Sequence, residues 1–283
     1  PLGKLFHKKD IAQRSLATAP GIQHAAGVDQ APKDNSIPMQ CIDYGKTGFE
    51  KTEFFNVGEL LAHPIPEWAE RRWINIDGLH PYVINELRKV HDFHTLAAED
   101  IFNTHQRPKL EVYENHSLIV VQMVRIEQDA LLSEQVSLIV LKNLIITFQE
   151  KPGDVWNPIR SRIQKEDSRS RKYSIWYLAY ALIDAVVDNV FPILERYGDA
   201  LNTLEEQAMN DPKPSIQQSI YYIKRELYGL RRAMWPMREI AGKLTDDTSP
   251  ADQKVRTYMR DVQDHAVQII DLVESSLEMA NSL

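Results

Sequence analysis

The sequence predicts an α/β protein in two parts, strands with short helices first and long helices after. Two observations carry that prediction. Between residues 38 and 172, short β-branched-rich runs alternate with helical patterns and are punctuated by glycine, proline and asparagine. From Ser174 onward, apolar residues recur every three or four positions almost to the end of the chain.

Residues 1–37 mix Lys, Ala, Gln, Gly and Pro without a helical or strand period, which predicts a mobile tail. Gln40 to Tyr44, Lys51 to Phe55 and Arg72 to Asp77 are strand candidates, the last closed by Asp77-Gly78. Val83, Ile84, Leu87 and Val90 give Pro81 to Val90 a helical face, and Leu96 to Phe102 has the pattern of a second short helix. Four further runs read as strands: Lys109 to Tyr113, Leu118 to Glu127, Val136 to Leu141 and Leu144 to Phe148. The last two are joined through Lys142-Asn143, a hairpin signal. Their near-continuous apolar character predicts a sheet covered on both faces. Val155 to Gln164 is read as a helix, and the charged stretch Lys165 to Lys172 as a linker.

The helical part divides at 173–248 and 249–283. Apolar positions step by four and three from Ile183 to Ala208, and again from Ile216 to Met237. Joined through Asp211-Pro212-Lys213-Pro214, these faces predict an antiparallel helical hairpin with arms of roughly 40–50 Å. Pro192 and Pro236 fall inside the pattern and are expected to kink or open it. The final helix is expected to begin at Ser249-Pro250-Ala251-Asp252, a hydroxyl N-cap followed by proline. No glycine, proline or basic last turn closes it before Leu283, so it is expected to stop in mid-helix.

Composition narrows the function. A formal charge of −7 argues against a general nucleic-acid binder and suits a cation-binding surface. The one cysteine, Cys41, excludes an internal disulfide and fits a reducing compartment, with a small buried core residue as its expected role. No stretch reaches the ~18 continuous apolar residues of a membrane helix; Ile175 to Val187, interrupted by Asp184, reads as a buried helix. With no signal-peptide pattern, a cytosolic location is expected for what is present.

Charge on the first helical arm is the most unusual feature. From Ser174 to Asp211 there are seven acids against one base, Arg196. At 100° per residue, Asp184, Asp188, Glu195, Asp199 and Glu206 fall within about 60° of one another, as one stripe outside the apolar seam. Unbalanced like charges at helical spacing cost stability, which a cation or a basic partner would relieve. Hard divalent ions, Mg2+ above all, bind carboxylate oxygens and retain most of their waters, so sparse acids suffice. Glu99 and Asp100 are adjacent and point about 100° apart on a helix, so they suit two neighbouring sites rather than one. His91, His94 and His105 lack the cysteine or acid pattern of a zinc site and are expected to cap or pack. No G-x-S-x-G, Walker loop or G-x-G-x-x-G occurs, so an enzyme is the least supported class.

Several stretches together resemble the cytoplasmic part of CorA-type magnesium and cobalt channels. They are Trp73-Ile74-Asn75-Ile76-Asp77-Gly78-Leu79, the His94 to Ile101 segment with Glu99-Asp100, and Gln106-Arg107-Pro108-Lys109. Glu134 to Leu138, Ile146 to Glu150, Ala181 to Asp188 and Arg260 to His265 follow in family order. The resemblance covers residues 40–283 and implies an α/β/α sandwich with a mixed sheet, followed by a helical hairpin and a long final helix. It implies a homopentamer whose last helix continues through the membrane at the cytoplasmic face of the inner membrane. That continuation and the Gly-Met-Asn signature after it are absent here. It further implies Mg2+, with Co2+ as the other cation, bound between subunits: Asp100 of one with Asp261 of its neighbour, and Glu99 with Asp184, flanked by Asp188 and Asp264. A zinc-transporting relative of the same superfamily and an acidic helical adaptor without metal are the alternatives.

Overall fold

A computed structural model describes residues 20–33, 36–104, 106–211 and 213–283. Seven strands form one mixed sheet: β1 (Met39–Tyr44), β2 (Phe49–Phe54), β3 (Arg71–Asp77), β4 (Lys109–Val112), β5 (Ser117–Glu127), β6 (Ala130–Val140) and β7 (Leu144–Gln149). Their order is β2-β1-β3-β7-β6-β5-β4, with β3 and β7 parallel and every other pair antiparallel. Three helices, α1 (Val57–Ala62), α2 (Pro81–His91) and α3 (Thr95–Phe102), enter the core on one face. The opposite face carries α4 (Asn157–Gln164), the short α5 (Arg169–Lys172), α6 (Ile175–Asp188), α7 (Val190–Asn210), α8 (Pro214–Thr245) and α9 (Gln253–Ser282). This is the α/β/α sandwich with long C-terminal helices.

Each face has its own core. Alternation along β1 sends Met39 and Cys41 to the α1–α3 side and Ile42 and Tyr44 to the α6 side. Trp73 and Trp156 meet edge-on at 5.9 Å on the α6 side, and Trp156 Nε1 donates to the Leu182 carbonyl at 3.0 Å, fixing α6 to the sheet. Burying such side chains contributes on the order of 1.5–3 kcal/mol each.

Several elements differ from expectation, each for a local reason. Part of the expected tail is packed: Gly21 starts a 3-10 turn, Ile22–His24, and Ile22 is buried beside α2 and α3. Residues 1–19 lie outside the described residues. Helix α1 has only six residues, too few for a visible period; its sequence signal is Asn56, whose side chain accepts from Gly58 N and Glu59 N. Strand β6 starts six residues before the expected Val136, because Gln128 and Asp129 both take positive φ and close a tight β5–β6 hairpin without glycine. The expected linker contains α5, with Ser170 and Arg171 buried. The first helical arm is two helices, parted at Asn189. Pro192 stands three residues later, where its ring excludes a continuous bond across that turn, whereas α8 runs on through Pro236. Helix α9 begins three residues later than expected: Asp252, not Ser249, is its N-cap, accepting from Lys254 N and Val255 N.

The helical hairpin exists but is the lesser contact. Tyr197 OH of α7 donates to Glu226 of α8 across it at 2.8 Å, while α8 makes its most extensive contact with α9. Arg231 meets Glu274, and Gly242 lies against Gln263, so α8 and α9 are antiparallel. Helices α6 and α9 run parallel, from Ser174–Asp252 at their starts to Asp188–His265 at the end of α6. Among the described residues, the helical run Ile175–Asn210 is long and apolar enough to cross a membrane by length and composition. Yet 67% of its apolar window is buried inside the protein, as in a core helix.

Candidate metal centres

The parallel packing of α6 on α9 gathers acids at one level. Asp184 and Asp188 come from successive turns of α6, and Asp261, Asp264 and His265 from one turn of α9. His265 Nδ1 stands 2.8 Å from Asp188 Oδ1, and its Nε2 3.9 Å from Asp261 Oδ1. Ligand atoms of Asp184, Asp261 and His265 all lie within 4.8 Å of one another. Tyr180 OH donates to Asp184 Oδ2 at 3.4 Å, while Asp184 Oδ1 is buried with no hydrogen-bond partner. Burial, and then the Asp188 charge, push the Asp184 carboxyl up to about 6 against the opposing pull of His265. Asp188, Asp261 and Asp264 are exposed.

The second acid pair is on α3, across the sheet. His94 caps this helix by accepting from Leu96 N at 3.2 Å and stacks on Tyr113, in line with the capping role expected of the histidines. His105 lies outside the described residues. Glu99 Oε2 accepts from Gly21 N at 2.6 Å. Asp100 Oδ2 accepts from Lys109 Nζ at 2.7 Å, and the same ammonium donates to Glu111 at 2.7 Å. Burial disfavours the Lys109 charge, but the bonds to Asp100 and Glu111 outweigh it and raise its pKa.

The structure therefore brings Asp184, Asp188 and Asp261 together and keeps Glu99 and Asp100 apart from them. No single chain unites Asp100 with Asp261 or Glu99 with Asp184. Two participants were missed in the sequence. His265 is four residues after Asp261, a helical neighbour visible in the spacing. Lys109 has no such signal, since its meeting with Asp100 depends on where β4 passes α3.

Comparison with known proteins bears on what these faces serve. Residues 68–283 match the family described as "CorA-like Mg2+ transporter protein". The chain belongs to the CorA family. It is 36% identical over 277 residues to the cobalt/magnesium transport protein CorA of Thermotoga maritima, covering 96% of this chain and 78% of that one. A putative metal ion transporter of Bacillus subtilis is 27% identical, covering 80% of this chain and 69% of the relative. Among solved structures, the soluble domain of CorA from Methanocaldococcus jannaschii superposes with a TM-score of 0.72 at 16% identity, covering 88% of this chain and 94% of that one. The complete CorA magnesium transporter of the same organism gives 0.73 at 17% identity, covering 86% and 74%. At such identities the superpositions speak to fold. The family and these relatives are described as transporters, of magnesium, cobalt or metal ions.

Proposed function

We propose that this chain is the cytoplasmic Mg2+-sensing part of a homopentameric Mg2+/Co2+ channel, gated by divalent ions bound between adjacent subunits. The observation that carries this reading is the placement of two incomplete acid sets on opposite sides of one sheet. A neighbouring subunit that brought its α9 against this chain's α3 would set Asp261 opposite Asp100, and Asp184 opposite Glu99. Asp188 and Asp264 would border the ion through its water shell. The orphaned Asp184 oxygen supports the same reading, because a buried lone pair without a donor is what a hydrated cation satisfies.

The mechanism is linkage. Mg2+ holds neighbouring subunits in the closed arrangement; as cytosolic Mg2+ falls, carboxylate repulsion loosens them and the pore opens. The ion can act so only through a higher affinity for the closed state. Thermal unfolding against Mg2+, with sedimentation to fix the oligomeric state, tests the proposal. Binding to the native state alone raises stability by about 2.7 kcal/mol at a hundredfold excess over Kd. The expected result is a rise in midpoint that Asp100→Asn and Asp261→Asn each abolish. A pentamer whose midpoint ignores Mg2+ would sink the assignment and favour the metal-free adaptor.

A further inference from the structure

The single cysteine belongs to another cluster of ligating groups, on the sheet face away from α6 and α9. Period two places Cys41 and Asp43 on the same side of β1, and α1 ends against that side at His63. Cys41 Sγ is 3.7 Å from Asp43 Oδ2, and His63 Nε2 is 3.7 Å from the same oxygen. All three ligand atoms lie within 4.8 Å of one another. Cys41 and Asp43 are each 1% exposed, while the His63 side chain retains 18%, so the cluster opens to solvent on the His63 side.

His63 Nε2 itself is buried and has no hydrogen-bond partner. A buried polar atom left so costs roughly 1–3 kcal/mol. It stands 3.7 Å from the Asp43 carboxylate, too far for a hydrogen bond, while the Cys41 thiol donates weakly to that same carboxylate. That spacing is the one a tetrahedral ion imposes: ligands about 2.0–2.3 Å from the metal stand roughly 3.3–3.8 Å from each other. Arg72 arranges the set. It donates to both Asp43 oxygens at 2.7 and 2.8 Å and to the carbonyls of His63 and Pro64 at 3.2 and 2.9 Å. One guanidinium thus orients the carboxylate and pins the histidine segment against β1, the task of an outer hydrogen-bond partner at a metal site.

We propose that Cys41, Asp43 and His63 form a binding site for a borderline divalent ion, Co2+ or Zn2+, with solvent completing the shell. Binding expels the Cys41 proton to solvent, and the thiolate, the Asp43 carboxylate and neutral His63 Nε2 become the ligands. The thiolate also offsets the Arg72 charge, which otherwise opposes a cation. Sulfur and imidazole together favour Co2+ and Zn2+ over Mg2+, so this site would distinguish ions that the sulfur-free, carboxylate-rich faces of α6 and α9 do not.

Because Cys41 is the only cysteine, any thiolate-to-cobalt charge transfer must come from it. The test is titration of the folded chain with Co2+, watching the near-ultraviolet charge-transfer band. We expect the band to saturate at one ion per chain, to be bleached by Zn2+ and to be unaffected by excess Mg2+. Cys41→Ser should abolish it. His63→Ala, which leaves the Asp43–Arg72 pair intact, should remove or greatly weaken it while far-ultraviolet dichroism stays native. A folded chain without the band at saturating Co2+ would overturn the proposal. So would an undiminished band in His63→Ala, which would mark a thiol that binds cobalt without a built site.

Discussion

Asp43 and Asp184 lie on opposite faces of one sheet, and both are largely withdrawn from water, but only the first is compensated. Arg72 stands directly across from Asp43 in the β1–β3 register and answers both its oxygens. Asp184 has a distant tyrosine hydroxyl, one orphaned oxygen and two acidic neighbours, with the His265 imidazole between them. Burial of a carboxylate is thus a poor guide to function, and the missing counter-charge is the better one. The Asp43 charge is answered within the chain, whereas Asp184 keeps one buried oxygen without a partner among the described residues.

The largest way to break this contrast is Arg72→Met. It strands a carboxylate that is 1% exposed and should cost about 3–5 kcal/mol, measured by urea unfolding. Asp184→Asn should act in the opposite direction. Protonated Asp184 favours the fold; that contribution is complete below the carboxyl's ordinary 3.8 and is lost as pH rises through about 6. The asparagine variant should therefore flatten the stability loss between those values. At pH 7 it should gain about 1–2 kcal/mol, after allowance for partial exposure. A wild-type profile retained in the variant would assign the pH dependence elsewhere. His265→Gln removes the imidazole that bridges Asp188 and Asp261 in a solvent-accessible cluster and should cost under ~1 kcal/mol. The smallest effect on stability is expected from Lys109→Met, again within ~1 kcal/mol. Its value lies in the Mg2+ titration, where the freed Asp100 should bind more tightly if Lys109 is the cation that Mg2+ displaces.

What was legible in the sequence was periodic. Helices α8 and α9 and the final apolar stripe followed from spacing alone, and strands β1, β3, β5 and β7 from β-branched runs. Strand β6 was half hidden because Ser133, Glu134 and Gln135 interrupt its apolar run, and α1 was too short to show a period. The acids of α6 and α9 stood out because each helix carries them at its own spacing, as did Glu99-Asp100. Their partners were another matter. Arg72 meets Asp43 only once the strand register is set, Gly21 reaches Glu99 from 78 residues away, and His63 meets Cys41 only because α1 stops against β1. Such pairings are products of topology, and no local pattern encodes them.

The antiparallel seam between α8 and α9 has a mechanical consequence. Helix α9 is 30 residues long, a rod of about 45 Å, and α8 splints it along its length. Asp261 sits near the foot of that rod and Ser282 at its tip, about 30 Å further on. A splinted rod tilts before it bends, so each degree of rotation at the level of Asp261 carries the tip by roughly half an ångström. Charges too few to move a domain can still displace the end of a lever.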